Sequence, residues 1–194
     1  MPFDFASISD ILLTNDEMNS VARLFGKAKV NQTAWNCTQQ AFFEAFVRCA
    51  KVAVPCNAVP SCVISQAILE SGWFSTGTMF GVKATVAQED AGNAVVVKSH
   101  EVVAGHMEKT IGTFFKGGIQ QQFANYYAYL ARRKPGTEKF LPADSMGFID
   151  YLQDPRVLAL DGTASGSYST AGKSYSDAIV SIIRDNHLEV FDHA

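Results

Sequence analysis

Ser65-Gln66-Ala67-Ile68-Leu69-Glu70-Ser71-Gly72-Trp73 sets a single carboxylate near the end of a largely apolar run. Pro60-Ser61 reads as the start of a helix, with Ser61 the expected N-cap, and Gly72 is placed to stop it. Val63, Ala67 and Glu70 then fall at i, i+4 and i+7 on one face. A carboxylate on that strip is held partly out of water, which disfavours its charged form and raises its pKa. A glutamic acid of ordinary pKa, ~4.3, is about 0.2% protonated at neutral pH, whereas one raised to ~6 is about 10% protonated. That gain suits protonation of a glycosidic oxygen. The competing reading is a solvated glutamate at a helix C-terminus, and spacing alone does not choose between them.

Outward from this segment the pattern is mainly helical. Before it, Phe42, Phe43, Phe46, Val47 and Ala50 recur at helical spacing from Thr38 to Val54, where Pro55 ends the run. Earlier still, Ile8/Ile11/Leu12 and Val21/Leu24/Phe25 flank a polar opening at Thr14-Asn15-Asp16-Glu17. After it the periodicity changes. Val95-Val96-Val97, Val102-Val103 and Thr110-Ile111 around an Ala104-Gly105 turn signal predict a small hairpin or three-stranded lobe between Gly81 and Gly112. Phe123, Tyr126, Tyr127 and Leu130 predict another helix, Met146 to Leu152 a shorter one, and Ala178, Ile179, Ile182 and Ile183 a last one. Gly162 to Gly172 reads as a Ser/Thr/Gly loop.

Composition narrows the function. The chain has 194 residues, 47% hydrophobic and 18% charged, enough for one domain with a substantial core. A net charge of −3 and the lack of any Lys/Arg run argue against a nucleic-acid partner or an anionic membrane surface. No apolar stretch is long enough to span a membrane, and Met1-Pro2-Phe3-Asp4-Phe5 lacks the pattern of a signal peptide. Cys37, Cys49, Cys56 and Cys62 read as buried thiols, with a Cys56–Cys62 bridge as the alternative.

Several apparent motifs fail on spacing. In His100-Glu101 with His106, the second histidine of a zinc helix would have to stand at Ala104, and Gly105 breaks the helix. Gly166 to Gly172-Lys173-Ser174 has five intervening residues where a phosphate loop needs four. Gly162-Thr163-Ala164-Ser165-Gly166 sets its serine one place late for a nucleophile elbow. No metal or cofactor is expected.

Ser65 to Trp73, followed by Thr78-Met79-Phe80-Gly81-Val82-Lys83, resembles the glucosaminidase family of peptidoglycan hydrolases (glycoside hydrolase family 73 type), which includes the flagellar-rod hydrolase domain and many autolysins. Members carry a helix close to Ala-Gln-Ala-x-Leu-Glu-Ser-Gly-Trp and then Asn-x-Phe-Gly-Ile/Val-Lys, so Thr78 replaces the family asparagine. The resemblance implies an α+β, mainly α, lysozyme-like domain whose small β-hairpin lobe flanks the glycan cleft, with Glu70 as general acid. Lys98-Ser99-His100-Glu101-Val102 resembles the family's strand ending in a second glutamate, which makes Glu101 the second carboxylate. It would act as base for water or stabilise positive charge on the sugar or an oxazolinium. Glu89, Asp90 and Glu108 are its competitors. Tyr168 matches a tyrosine that lines the family's active site, and Trp73 and Phe80 are further candidates for sugar contact against a packing alternative. Gly117, in Phe114-Phe115-Lys116-Gly117, and Ala171, in Tyr168-Ser169-Thr170-Ala171-Gly172, mark departures from the family's Phe-Arg-x-Tyr and Tyr-Ala-Thr-Asp-Pro.

The resemblance covers residues 38 to 192 and is strongest over 60 to 83. Residues 1–37 are then an N-terminal helical extension packed on a catalytic domain at 38–194. The implied activity is endo-β-N-acetylglucosaminidase cleavage of peptidoglycan. A catalytic domain with no wall anchor or signal peptide looks like a delivered enzyme. The expected case is a type VI secretion effector made in the cytoplasm, active in a rival's periplasm, and plugged at its cleft by an immunity protein. A phage lysis muramidase is the alternative route, and a non-catalytic glycan-binding or virion module of the same fold is the reading from another class.

Overall fold

Thr14 opens the first long helix, α1 (Asn15–Lys27), through a reciprocal pair of bonds. The Glu17 N–H donates to Thr14 Oγ1 at 3.2 Å, while the Thr14 N–H donates to Glu17 Oε2 at 2.7 Å. The polar stretch read at Thr14–Glu17 is thus a capping box. Glu17 is 1% exposed, and its other oxygen accepts from Lys51 Nζ at 2.5 Å, which ties α1 to α3 (Gln39–Lys51). Leu24 of α1 lies wholly inside the common core. The computed structural model describes residues 8–52, 59–103, 106–133 and 173–192. The expected helix at Met146–Leu152, the loop at Gly162–Gly172, Tyr168 and Cys56 lie outside the described residues.

A four-residue turn, α2 (Gln32–Trp35), leads into α3, which Thr38 caps by accepting from the Ala41 N–H. The inward face of α3 presents Phe42, Phe43 and Phe46, all buried, and packs on α6 (Ile119–Arg133) through contacts that include Phe46 with Phe123. Cys49 and Cys62 are fully buried, and burial pushes the Cys49 thiol up to about 12.

α4 (Pro60–Glu70) is buried on all sides from Ser61 to Ile68, so the single apolar strip expected from Val63, Ala67 and Glu70 is only one face of a central helix. Ser61 is not its N-cap. Val59 occupies that position without a side-chain bond, Pro60 fills the first turn, and the carboxylate of Asp192 accepts from the Ser61 N–H at 2.8 Å and from Ser61 Oγ at 2.7 Å. A carboxylate at a helix start complements the helix dipole, so a residue near the C-terminus does the work expected of a local cap. The final helix α7 (Lys173–Asn186) and the 3₁₀ turn Leu188–Phe191 pack along α4 and complete this layer.

The β lobe is an antiparallel hairpin of β1 (Ala94–Val103) and β2 (His106–Phe115). Pairing of Val103 with His106 leaves a two-residue connection where the turn was read. At its root a third segment adds one bridge, Lys83 to Phe114, with the Ala84 N–H donating to Thr113 O and the Phe115 N–H to Val82 O. A short helix the sequence reading did not anticipate, α5 (Val86–Asp90), fills the approach and is opened by a Thr85/Gln88 capping box. Among the described residues the architecture is α+β, mostly helical, with one small sheet.

Candidate active site

Glu70 is the last residue of α4, and the chain reverses immediately beyond it. Gly72, Trp73 and Phe74 have φ of 56°, 60° and 67°, three consecutive left-handed residues. Glycine adopts that conformation freely; each aromatic pays about 1–2 kcal/mol for it. Specific bonds hold the turn. Ser71 Oγ donates to Ala67 O and accepts from the Phe74 N–H at 2.8 Å, and the Trp73 N–H donates to Ile68 O at 2.9 Å. Lys29 and Asn31 donate their N–H groups to the carbonyls of Trp73 and Phe74, and Trp35 Nε1 adds a bond to Phe74 O. The Phe74 ring is fully buried against Phe42, Phe43 and Phe46, with centroids 4.8, 5.7 and 4.9 Å away. This anchorage fixes the direction in which the chain returns across the end of α4.

Gln122, 3% exposed, steadies the returning loop by accepting from the Met79 N–H at 3.0 Å and donating to Gly77 O at 2.9 Å. The loop then lays Gly81 on the Glu70 carboxyl. Gly81 has φ of 62°, and a Cβ there would stand 2.8 Å from Glu70 Oε2. Glycine takes this backbone without strain, and any Cβ here would push the carboxyl aside.

Tyr175 of α7 lies close enough to the carboxyl for each group to act on the other's protonation. Tyr175 in turn accepts from Gln66 Nε2 at 3.1 Å, and Gln66 Oε1 accepts from the Tyr126 hydroxyl. Tyr126 and Gln66 are fully buried, and Tyr175 is nearly so. Burial raises Glu70 from the ordinary 4.5 to about 7, with the Tyr175 hydrogen bond pulling the other way. Tyr175 itself is raised well above the ordinary tyrosine value, chiefly by burial and then by the adjacent Glu70 charge. A glutamic acid at about 7 is about half protonated at neutral pH, the state a general acid needs.

Trp73 is half-buried and packs against the core. Phe80 is 2% exposed, with its ring stacked on Tyr126 at 4.1 Å and 10° and meeting Phe123 edge-on at 5.1 Å. It therefore supports Tyr126 from within the core and offers no open face to a sugar. Glu101 lies in β1 directly across from Glu108 in β2. Glu89 is exposed at the end of α5. His100 stands opposite Lys109 and His106 opposite Val103, on strands where a zinc helix would need a helix. Among the described residues no three His, Cys, Asp or Glu side chains gather as a metal site requires.

Gln66, Tyr126, Tyr175 and Gln122 were not among the site residues expected from the sequence. Only Gln66 left a local signal, as a polar residue one helical turn before Glu70 in a helix otherwise set for burial.

No family model matches the sequence, and no curated protein matches it. Solved structures do match. A peptidoglycan hydrolase mutant from Sphingomonas sp. A1 superposes with a TM-score of 0.57 at 23% identity, over 78% of this chain and 97% of that one. The catalytic domain of the autolysin Auto from Listeria monocytogenes gives 0.53 at 18%, over 93% and 99%. An N-acetylmuramoyl-L-alanine amidase from Staphylococcus aureus gives 0.54 at 17%, over 95% of this chain and 48% of that one, about half its length. What this chain shares with them is the fold.

Proposed function

We propose that this chain is a peptidoglycan hydrolase that cleaves the β-1,4 glycan backbone as an endo-β-N-acetylglucosaminidase, with Glu70 as general acid. The observation that carries the reading is the Glu70 carboxyl at the end of a buried helix, covered by Gly81 and raised by burial to about 7. Support of a different kind comes from the shared fold, since the matched structures are described as a peptidoglycan hydrolase, an autolysin and an amidase. In the proposed step the Glu70 proton passes to the glycosidic oxygen as the bond from that oxygen to the sugar's anomeric carbon breaks, leaving Glu70 as carboxylate. Glu101, in β1 of the hairpin, is the proposed second carboxylate, and Trp73 and Tyr168 are proposed sugar contacts.

Digestion of purified peptidoglycan, with mass spectrometry of borohydride-reduced products, tests the bond choice. Reduced N-acetylglucosamine ends support the proposal, and reduced N-acetylmuramic acid ends replace it with a muramidase. The name of the Staphylococcus aureus structure points instead to an amide bond. New peptide amino termini without new reducing ends would establish that reading. The proposed setting, delivery into a rival's periplasm with an immunity protein over the cleft, rests on the sequence reading alone. Hydrolysis unchanged by the product of the neighbouring gene would refute the partner.

A further inference from the structure

Gly81 covers the Glu70 carboxyl from a stretch of backbone tied down on both sides. After it, the Phe115 N–H donates to Val82 O at 3.0 Å and the Ala84 N–H to Thr113 O at 3.1 Å, which joins the stretch to the root of β2. Before it, a side chain makes the tie. Gln122 of α6 accepts from the Met79 N–H at 3.0 Å through Oε1 and donates from Nε2 to Gly77 O at 2.9 Å, with Gly117 O 3.5 Å from the same nitrogen. One carboxamide thus meets a backbone donor and a backbone acceptor two residues apart, which fixes its own orientation. Met79 is fully buried and Gln122 is 3% exposed, so water is excluded from the bond between them. Phe80 and Gly81 stand between the two ties. Phe80 stacks its ring on Tyr126, which sets the depth of the stretch, but stacking does not fix the rotation of the backbone about that anchor, whereas directional hydrogen bonds on both sides do. Rotation matters because a Cβ at Gly81 would stand 2.8 Å from Glu70 Oε2: the backbone itself closes over that oxygen.

We propose that Gln122 is a positioning residue for the reaction: by holding the backbone at Gly77 and Met79 it keeps Gly81 seated on the Glu70 carboxyl and solvent away from it. The inference rests on Glu70 being the general acid. Burial is the leading cause of the rise of Glu70 to about 7. With the cover slackened, water hydrates the carboxylate, the charged form is less disfavoured, and the group moves down towards its ordinary 4.5. It is then ionised at neutral pH and has no proton to give as the glycosidic bond breaks. Among the described residues Tyr175 of α7 and Glu70 act on each other, and Tyr126 of α6 acts on Tyr175. Lys83 on the returning stretch is exposed, and Asp192 bonds Ser61 at the far end of α4. Glu101 and Glu108 pair across the hairpin. Gln122 carries no charge, so a neutral replacement alters the hydration of Glu70 without altering the charges around it.

Gln122→Met keeps the bulk and removes both bonds. Its kcat/KM on purified peptidoglycan should show an upper limb lower by about one pH unit, so that the loss at pH 7 exceeds the loss at pH 5 by roughly five-fold. A role confined to packing would lower activity alike at both pH values and leave the limb in place. Carbon-13 titration of the Glu70 carboxyl in the intact protein reads the same downward move without any turnover. Gln122→Asn, one methylene short of spanning both partners, should give a smaller downward move and stands in should Gln122→Met fail to fold. Asn125→Ala removes a different bond from α6 to this lobe, the one Asn125 Oδ1 accepts from Gln88 Nε2 at 3.1 Å, and should leave the titration in place. A downward move of limb and titration in the Gln122 variants, absent from Asn125→Ala, supports the proposal. A titration that moves down where wild type and variants alike are inactive on peptidoglycan supports the hold of Gln122 on the cover and overturns the glycosidase reading. An active enzyme whose limb and titration stay fixed or rise, or an equal move in Asn125→Ala, overturns the role of Gln122.

Discussion

Replacing Glu70 by Gln should make the protein more stable, and only at the upper end of the pH range. The folded wild type holds Glu70 at about 7, against an ordinary value of 4.5. Below the ordinary value the group is neutral in both folded and unfolded chains, and its ionisation costs nothing. Between the two values the unfolded chain releases a proton that the folded chain keeps, so wild-type stability falls as pH rises. Above about 7 the full penalty is in place. At about 1.4 kcal/mol per pH unit the gap corresponds to ~3 kcal/mol, and solvent reaching the half-buried side chain reduces that to ~1–3 kcal/mol. Glutamine stays neutral throughout. Urea denaturation of both proteins at pH 4, 6 and 8.5 should give equal stability at the lowest pH and a gap that widens to a plateau. The melting temperature should rise by about 2–4 °C for each kcal/mol in a chain of this size. Other groups titrate alike in both proteins and cancel. A gap that does not change with pH, or a Gln variant less stable at pH 8.5, would refute the burial argument.

Gly81→Ala should fold with a penalty of about 1–2 kcal/mol for its positive φ and lower kcat by at least roughly ten-fold, because the new methyl group displaces the carboxyl it would otherwise strike at 2.8 Å. Thermal unfolding and steady-state kinetics check the two parts. Asp192→Ala removes both bonds to Ser61 at the start of α4 and should cost about 1–2 kcal/mol by urea denaturation, with the upper pH limb of activity unmoved. Glu101→Gln should lower turnover more than Glu108→Gln or Glu89→Gln; the reverse order would transfer the second role across the hairpin to its paired position.

The parts of this structure that depend on short stretches of chain were legible in the sequence. Gly72 ends α4 because glycine alone enters a left-handed turn without penalty, and the β-branched runs on either side of residues 104 and 105 pair as the two strands of the hairpin. The parts that depend on distant partners were not. Ser61 looked like a cap because nothing local shows that Asp192 arrives at the same helix end. Trp73 and Phe74 adopt backbone angles that their residue types disfavour, and it is bonds from Lys29, Asn31 and Trp35 that hold them there. Phe80 shows why aromatic candidates near an acid are ambiguous: the same ring serves a sugar or a core according to exposure, and here Tyr126 takes its face. Glu70 could be read as an acid on a buried helix, but the neighbours that bear on it, Gly81 and Tyr175, lie eleven and more than a hundred residues away in sequence.

Delivery of a proton from Glu70 to a glycan bond is the step on which the proposed activity depends. The most direct measurement is the pH dependence of kcat/KM for release of reducing ends from purified peptidoglycan, for wild type and Glu70→Gln side by side. Wild type should cleave with an upper limb near the Glu70 value of about 7, and the Gln variant should fall by on the order of a hundred-fold or more. A Gln variant that keeps the wild-type rate, or a wild type whose activity shows no such limb, would contradict it.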